Sequence, residues 1–260
     1  MITIVPPDLV PAINSEVRKV ATLPLNRILA GAPLVVALLA SVTSALLAGK
    51  ADPRSEPVTG TATIGLYAGI VVVVLAAAVF GAVGSGGEYR HRTMAVTALF
   101  TADRDRLTAA KLVVTGVFAV AVALAVEAVA VVTLLAFGRG KFDVDLELAA
   151  VLGGGLFAAV CWSVIGAGLG LLLRSSSTAI AVLLGWLVIA EPLLWLIADG
   201  VGATGFVTLF PGSATISTVA VGSYPDSDFL APTPAAVVVL LLWTIGIGGA
   251  GWWNLRRLDL

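Results

Sequence analysis

Six stretches of this chain are long, apolar and free of Lys and Arg: Ile28–Leu47, Ile64–Gly84, Leu112–Phe137, Leu148–Leu173, Thr178–Ala198 and Ala235–Trp253. A helix needs about 20 apolar residues to cross a hydrocarbon core about 30 Å thick, and all six come close to or exceed that length. Inside lipid every backbone N–H and C=O must find a partner within the protein, so only helices and closed barrels can span. Barrel strands would be about half as long and would alternate in polarity; these runs do not alternate. The composition agrees, with 59% hydrophobic and 12% charged residues, against about 25% charged in soluble domains. The expected fold is all-α: a polytopic membrane protein with six transmembrane helices, forming one domain over residues 1–260.

The charges between these runs fall into two sets. One holds Arg18, Lys19, Arg27, Arg90, Arg92, Arg104, Arg106, Lys111, Arg174, Arg256 and Arg257; the other holds only Lys50, Arg54, Arg139 and Lys141. The positive-inside rule puts the richer set in the cytoplasm. Both termini are then cytoplasmic, which an even number of spans also requires. With the charge divided this way, the formal net charge of −1 carries no message about nucleic acid, and none is expected as a partner.

The segments outside the spans have their own patterns. Met1–Ala21 carries Pro6, Pro7, Asp8 and Glu16 and has no continuous apolar core, so it does not read as a signal peptide. Leu9, Val10, Ile13, Val17 and Val20 recur at helical spacing. They predict an amphipathic helix from about Asp8 to Ala21 that lies in the membrane interface. Arg174–Ser177 is expected as a tight turn joining the fourth and fifth spans into a hairpin. The external segment Gly200–Pro234 is half apolar, which predicts short re-entrant helices broken at Pro211 and Gly212. Gly166 and Gly170 form a GxxxG in the fourth span, suited to close helix packing either within one bundle or between subunits.

No catalytic set emerges. Ser85-Gly86-Gly87-Glu88 looks like part of an ATPase signature, but no G-x-x-x-x-G-K-[ST] phosphate loop exists, and Gly49-Lys50 and Gly140-Lys141 lack the following hydroxyl. That tetrapeptide reads better as a flexible exit from the second span. His91 is the only histidine and Cys161 the only cysteine, too few for a zinc site or a disulfide framework. A transport subunit without its own ATPase site is expected, binding no cofactor itself.

The most polar stretch lies between the second and third spans. Glu88, Arg90, His91 and Arg92 at one end and Asp103, Arg104, Asp105 and Arg106 at the other bracket the milder Thr93–Ala102. Met94, Leu99, Phe100 and Leu107 give that segment an apolar edge. A short cytoplasmic helix along the membrane fits, with charged ends facing a soluble partner. A solvated topogenic loop fits too, although topology control needs only cations, and charges of both signs suit specific docking.

This block, EYRHRTMAVTALFTADRDRLTAAK, resembles the cytoplasmic motif that follows the second span of ABC-2 type transporter permeases. Glu88, Tyr89, Arg90, Thr93, Arg104, Arg106 and Lys111 match it. Arg92 lies within the same block, and Ala102 stands where many members carry proline. The N-terminal SEVRKVATLPLNRIL is similar to the family's interfacial helix, with Glu16 and Lys19 matching its Glu…Lys pattern. The resemblance implies the permease subunit of a bacterial ATP-binding-cassette exporter in the plasma membrane. It would move an amphipathic drug, lipid or peptide. It would pair with a second permease copy, identical or paralogous, and sit on two copies of a separate ATPase that holds ATP and Mg. Residues 93–102 would form the coupling helix that meets this ATPase. An ATP-independent secondary carrier or channel subunit is the alternative.

Two acids lie deep in apolar runs. Glu127 is about 22 Å, and Glu191 about 20 Å, from the cytoplasmic end of its span at 1.5 Å per residue. An ionised group at a helix centre is costly, and no cation lies within the spans to pair with either. Three roles remain open for them: a protonated carboxyl bonded to a neighbouring helix, a lining that favours cationic or amphipathic substrates, or a proton relay. Pro192 is expected to kink the fifth span, forming an external gate with Trp195.

Overall fold

A computed structural model describes residues 9–48, 61–90, 103–138, 141, 144–221 and 227–257. Its elements in chain order are α1 (Val10–Thr22), α2 (Pro24–Leu47), a 3-10 turn (Thr61–Thr63), α3 (Ile64–Arg90) and α4 (Arg104–Phe137). There follow α5 (Leu146–Leu173), α6 (Ser176–Gly200, with a π turn at Trp186–Ala190), α7 (Thr204–Val207), α8 (Pro211–Val219) and α9 (Thr233–Arg256). Among the described residues there is no strand, and six helices are long and apolar enough to cross a membrane: α2, α3 with its 3-10 turn, α4, α5, α6 and α9. The chain is thus all-α, with the six spans at the expected places.

α3 and α5 form the centre, and α6 is the most exposed of the six. Lipid tails are as apolar as leucine, so helices in a membrane associate through close van der Waals contact rather than a hydrophobic drive. Gly166 supplies that contact by lying against the backbone of Ala78 and Ala82, and Gly170 by lying where a Cβ would come within 2.8 Å of the Ala82 carbonyl. The GxxxG of the fourth span therefore serves packing of α5 on α3 inside the bundle. Leu66, Ile70 and Val73 of α3, Val126 of α4, and Val151 and Ile165 of α5 fill the space around this seam.

α3 runs unbroken to Arg90, so Ser85–Glu88 is helical and not a flexible exit. The reason is packing: a Cβ on Gly86 would lie 2.5 Å from the Ser176 backbone nitrogen. The glycine admits the α5–α6 turn against the helix. That turn is as tight as expected. Arg174 closes α5 in the left-handed conformation (φ 53°), and the Ser175 hydroxyl accepts the Thr178 N–H to start α6.

α8 begins with Pro211 in its first turn, where a missing N–H costs nothing; the break falls just before it, at Thr208–Phe210, and Gly212 lies inside the helix rather than at the break. The Trp162 indole of α5 donates to Thr215 Oγ1 at 2.8 Å, and Thr233 Oγ1 at the start of α9 donates to the Ser217 carbonyl at 3.1 Å. These contacts seat α8 against the bundle. α1 turns Ala12 and Glu16 inward and leaves Val10 and Val17 exposed.

Candidate functional site

Among the described residues, four charged side chains meet where α1, α3 and α4 converge. Glu16 and Lys19 lie one turn apart on α1, Glu88 is in the last turns of α3, and Lys111 is two turns into α4. The Lys111 ammonium donates to Glu16 Oε2 at 3.0 Å, Glu88 Oε1 at 2.9 Å and the Gly84 carbonyl at 3.1 Å. Those three partners use all three of its N–H groups. Lys19 donates to Glu16 Oε1 and Glu88 Oε1, each at 2.5 Å. Lys111 is 1% exposed, Glu88 6% and Glu16 7%. Two carboxylates and two ammoniums cancel, which is what makes burial of so much charge tolerable. Burial alone would lower the Lys19 pKa, but the carboxylates of Glu88 and Glu16 outweigh it and raise it above the ordinary lysine value.

The charged ends of the block, expected to face outward, divide between the cluster, the ends of neighbouring helices and the surface. Glu88 turns into the cluster. Tyr89 packs on Leu107, Leu171 and Leu255. Arg104 donates to the carbonyls of Leu255 and Arg256, both at 3.2 Å. Asp103 caps α4 by accepting from the Asp105 and Arg106 N–H groups, and its carboxylate also pairs with Arg106 at 3.1 Å. Asp105 accepts from the Trp252 indole at 2.8 Å and pairs with Arg256 at 3.2 Å, tying the end of α9 to the start of α4. Arg90 and Arg106 are exposed. Arg92 and Thr93, with the whole expected coupling helix 93–102, lie outside the described residues. The cluster owes its shape to Lys111, which was seen in sequence only as a motif match. The signal available was that Glu16, Lys19, Glu88 and Lys111 are two acids and two bases close to the ends of their apolar runs.

The second site surrounds Glu191. Pro192 lacks an N–H, and its ring would strike the carbonyl four residues back in a regular helix. The helix widens instead into one π turn, with the Glu191 N–H reaching the Trp186 carbonyl. The result is a π bulge rather than the simple kink expected. The wider turn puts Trp186 and Glu191 on one face, and the Trp186 indole donates to Glu191 Oε2 at 2.9 Å. Across the gap the same carboxylate accepts the Gly212 N–H at 3.0 Å, the Ser213 N–H at 2.6 Å and the Ser213 hydroxyl at 3.2 Å. Glu191 thus caps the N-terminus of α8, where free N–H groups and the helix dipole favour a negative charge. Gly212 is needed because a Cβ there would lie 2.6 Å from the carboxylate.

α3, α6 and α8 enclose a groove of about 690 Å³. Tyr67, Ile70 and Val74 line it from α3, Trp162 from α5, and Leu187 and Trp195 from α6. Trp195 also tilts against Phe229, with ring centroids 6.2 Å apart. Glu191 borders the groove, but Glu127 does not. Glu127 is 4% exposed and lies with Ile70 against the space left by the missing side chain of Gly155, and its Oε1 has no hydrogen-bond partner. The two acids, which sequence places at similar depth, do not both line this groove. Among the described residues no three His, Cys, Asp or Glu side chains are grouped to hold a metal. No protein-family model matches the chain, and no curated protein matches it.

Proposed function

We propose that this chain is the membrane permease subunit of an ATP-binding-cassette exporter, driven by a separate ATPase that binds ATP and Mg. The observation that carries this reading is the cluster of Glu16, Lys19, Glu88 and Lys111. It joins the first helix to both flanks of the polar block, since Glu88 precedes residues 91–102 and Lys111 follows them. An engine gripping that block would therefore move α1, α3 and α4 as one unit, and α9 with them through Asp105, Trp252 and Arg256.

In this reading α1 lies in the cytoplasmic interface of the plasma membrane, and its exposed Val10 and Val17 support that. Residues 93–102 form the coupling helix. α7 and α8 are re-entrant from the external side. Arg90 and Arg106 project toward the ATPase. Two ATPases and a second permease copy complete the assembly, and the groove beside Trp195 is the path of an amphipathic substrate. ATP drives the change only if closed ATPases bind the moved permease better than the resting one.

The test is purification from the native membrane in mild detergent, reconstitution into vesicles, and transport with and without ATP. An accompanying ATPase, lost on Arg90→Glu while the permease stays folded, is the expected result. Solute movement by the chain alone without nucleotide would overturn the reading. It would favour an ATP-independent carrier, for which Glu127, with its unpartnered oxygen, would be the proton-carrying residue.

A further inference from the structure

The groove's volume, about 690 Å³, falls in the range of small-molecule sites, about 300–1,000 Å³. Its chemistry narrows what can enter. Val71, Val188 and Ile216 at its rim are 56%, 66% and 39% exposed. The first two lie on the long apolar helices α3 and α6, so the opening is on the apolar flank of the bundle. Glu191 is the one carboxylate among the described lining residues, it is 2% exposed, and its two oxygens already accept four hydrogen bonds. A cation could reach it only by displacing one of these donors, the Trp186 indole, the Ser213 hydroxyl or the amides of Gly212 and Ser213, and would leave that donor unpaired. Trp162 donates to Thr215, whose hydroxyl in turn donates to the Pro211 carbonyl.

We infer that this groove receives an uncharged acyl chain entering sideways from the bilayer, and that Glu191 builds its wall instead of selecting cations. As a statement about substrate this rests on the permease reading and makes the substrate lipid-like. As a statement about occupancy it stands without that reading.

The experiment uses the full chain in lipid nanodiscs and two photoreactive probes. One is a diazirine-bearing long-chain alcohol; the other is the same chain with a quaternary ammonium head. Adducts are mapped by peptide mass spectrometry. Both probes should label the groove segments around Tyr67–Leu75 and Trp186–Trp195 about tenfold more than exposed Leu38 and Leu46 of α2, a preference equal to about 1.4 kcal/mol. Head charge should make no difference. Val71→Trp, a rim substitution that fills the opening, should remove the groove adducts and leave those on α2.

Equal labelling of α2 and the groove would overturn the inference, since only unspecific lipid contact would remain. So would a preference for the ammonium probe that Glu191→Gln abolishes, or a groove left unlabelled because a second copy covers it. Failure to find an ATPase would remove the permease reading and leave these outcomes unchanged.

Discussion

Replacing Lys111 by methionine removes the more deeply buried of the two cations that contact both carboxylates, leaves Lys19 alone to balance two negative charges, and keeps most of the side chain's volume. Its contacts to Glu16 and Glu88 are 3.0 and 2.9 Å long. At an effective dielectric constant of about 20, each corresponds to roughly 5.5 kcal/mol of gross attraction. Desolvation offsets most of that, so the expected loss is about 3–5 kcal/mol, the usual cost of leaving a buried charge without its partner. For a chain of this size that is roughly a 10 °C drop in the midpoint of heat-induced loss of folded protein in detergent. The diagnostic comparison is the pair Lys111→Met with Glu88→Gln. The double variant keeps only Glu16 and Lys19, which balance each other, so it should be more stable than the sum of the two single losses by about 0.5–3 kcal/mol. A single variant within about 1 kcal/mol of the natural chain, or a double variant that simply adds, would show that the four charges do not act as one buried unit.

Raising pH tests the same cluster from another side. Lys19 has a raised pKa in the folded state, so its contribution is fully present below the unfolded value of 10.5 and lost as pH climbs past the folded one; Lys19→Arg should carry thermal stability to higher pH, and an unchanged profile would count against the pairing. Gly86→Ala pushes a methyl group into the Ser176 backbone and should lower thermal stability by more than the ~0.5 kcal/mol that bounds a typical surface change; a neutral or stabilised variant would mean the turn can retreat. Glu191→Ala strips the cap of α8, so hydrogen exchange at the Gly212 and Ser213 amides should rise about tenfold or more, from a loss of about 1–3 kcal/mol. Glu191→Gln, which keeps one acceptor oxygen, should fall between; equal protection in all three proteins would refute the cap.

Much of the fold was legible because membrane-spanning helices report themselves locally. The tight turn at Arg174, the restart at Pro211 and the amphipathic first helix were also readable, each from residues within a few positions of one another. The misreadings share a cause. Gly86 looked like a flexible point because its partner, Ser176, lies 90 residues away in sequence. Glu88 looked like a docking charge because neither Glu16 nor Lys111 can be aimed at it without knowing how α1 and α4 are rotated. Glu127 and Glu191 looked alike because distance along a helix axis gives depth and says nothing of direction.

The sequence by itself determined that this chain makes six apolar helices. Span length is a sum over contiguous residues, and a backbone in lipid has to satisfy its own hydrogen bonds. Only the tertiary structure decided which polar groups meet: Lys111 with Glu16 across 95 positions, Glu191 with the amides of α8 across 21 and 22. Those meetings depend on the azimuth of each helix and on the π turn before Pro192. Azimuth is set by where small residues let neighbouring backbones touch, a property of pairs of helices that no single stretch of sequence contains.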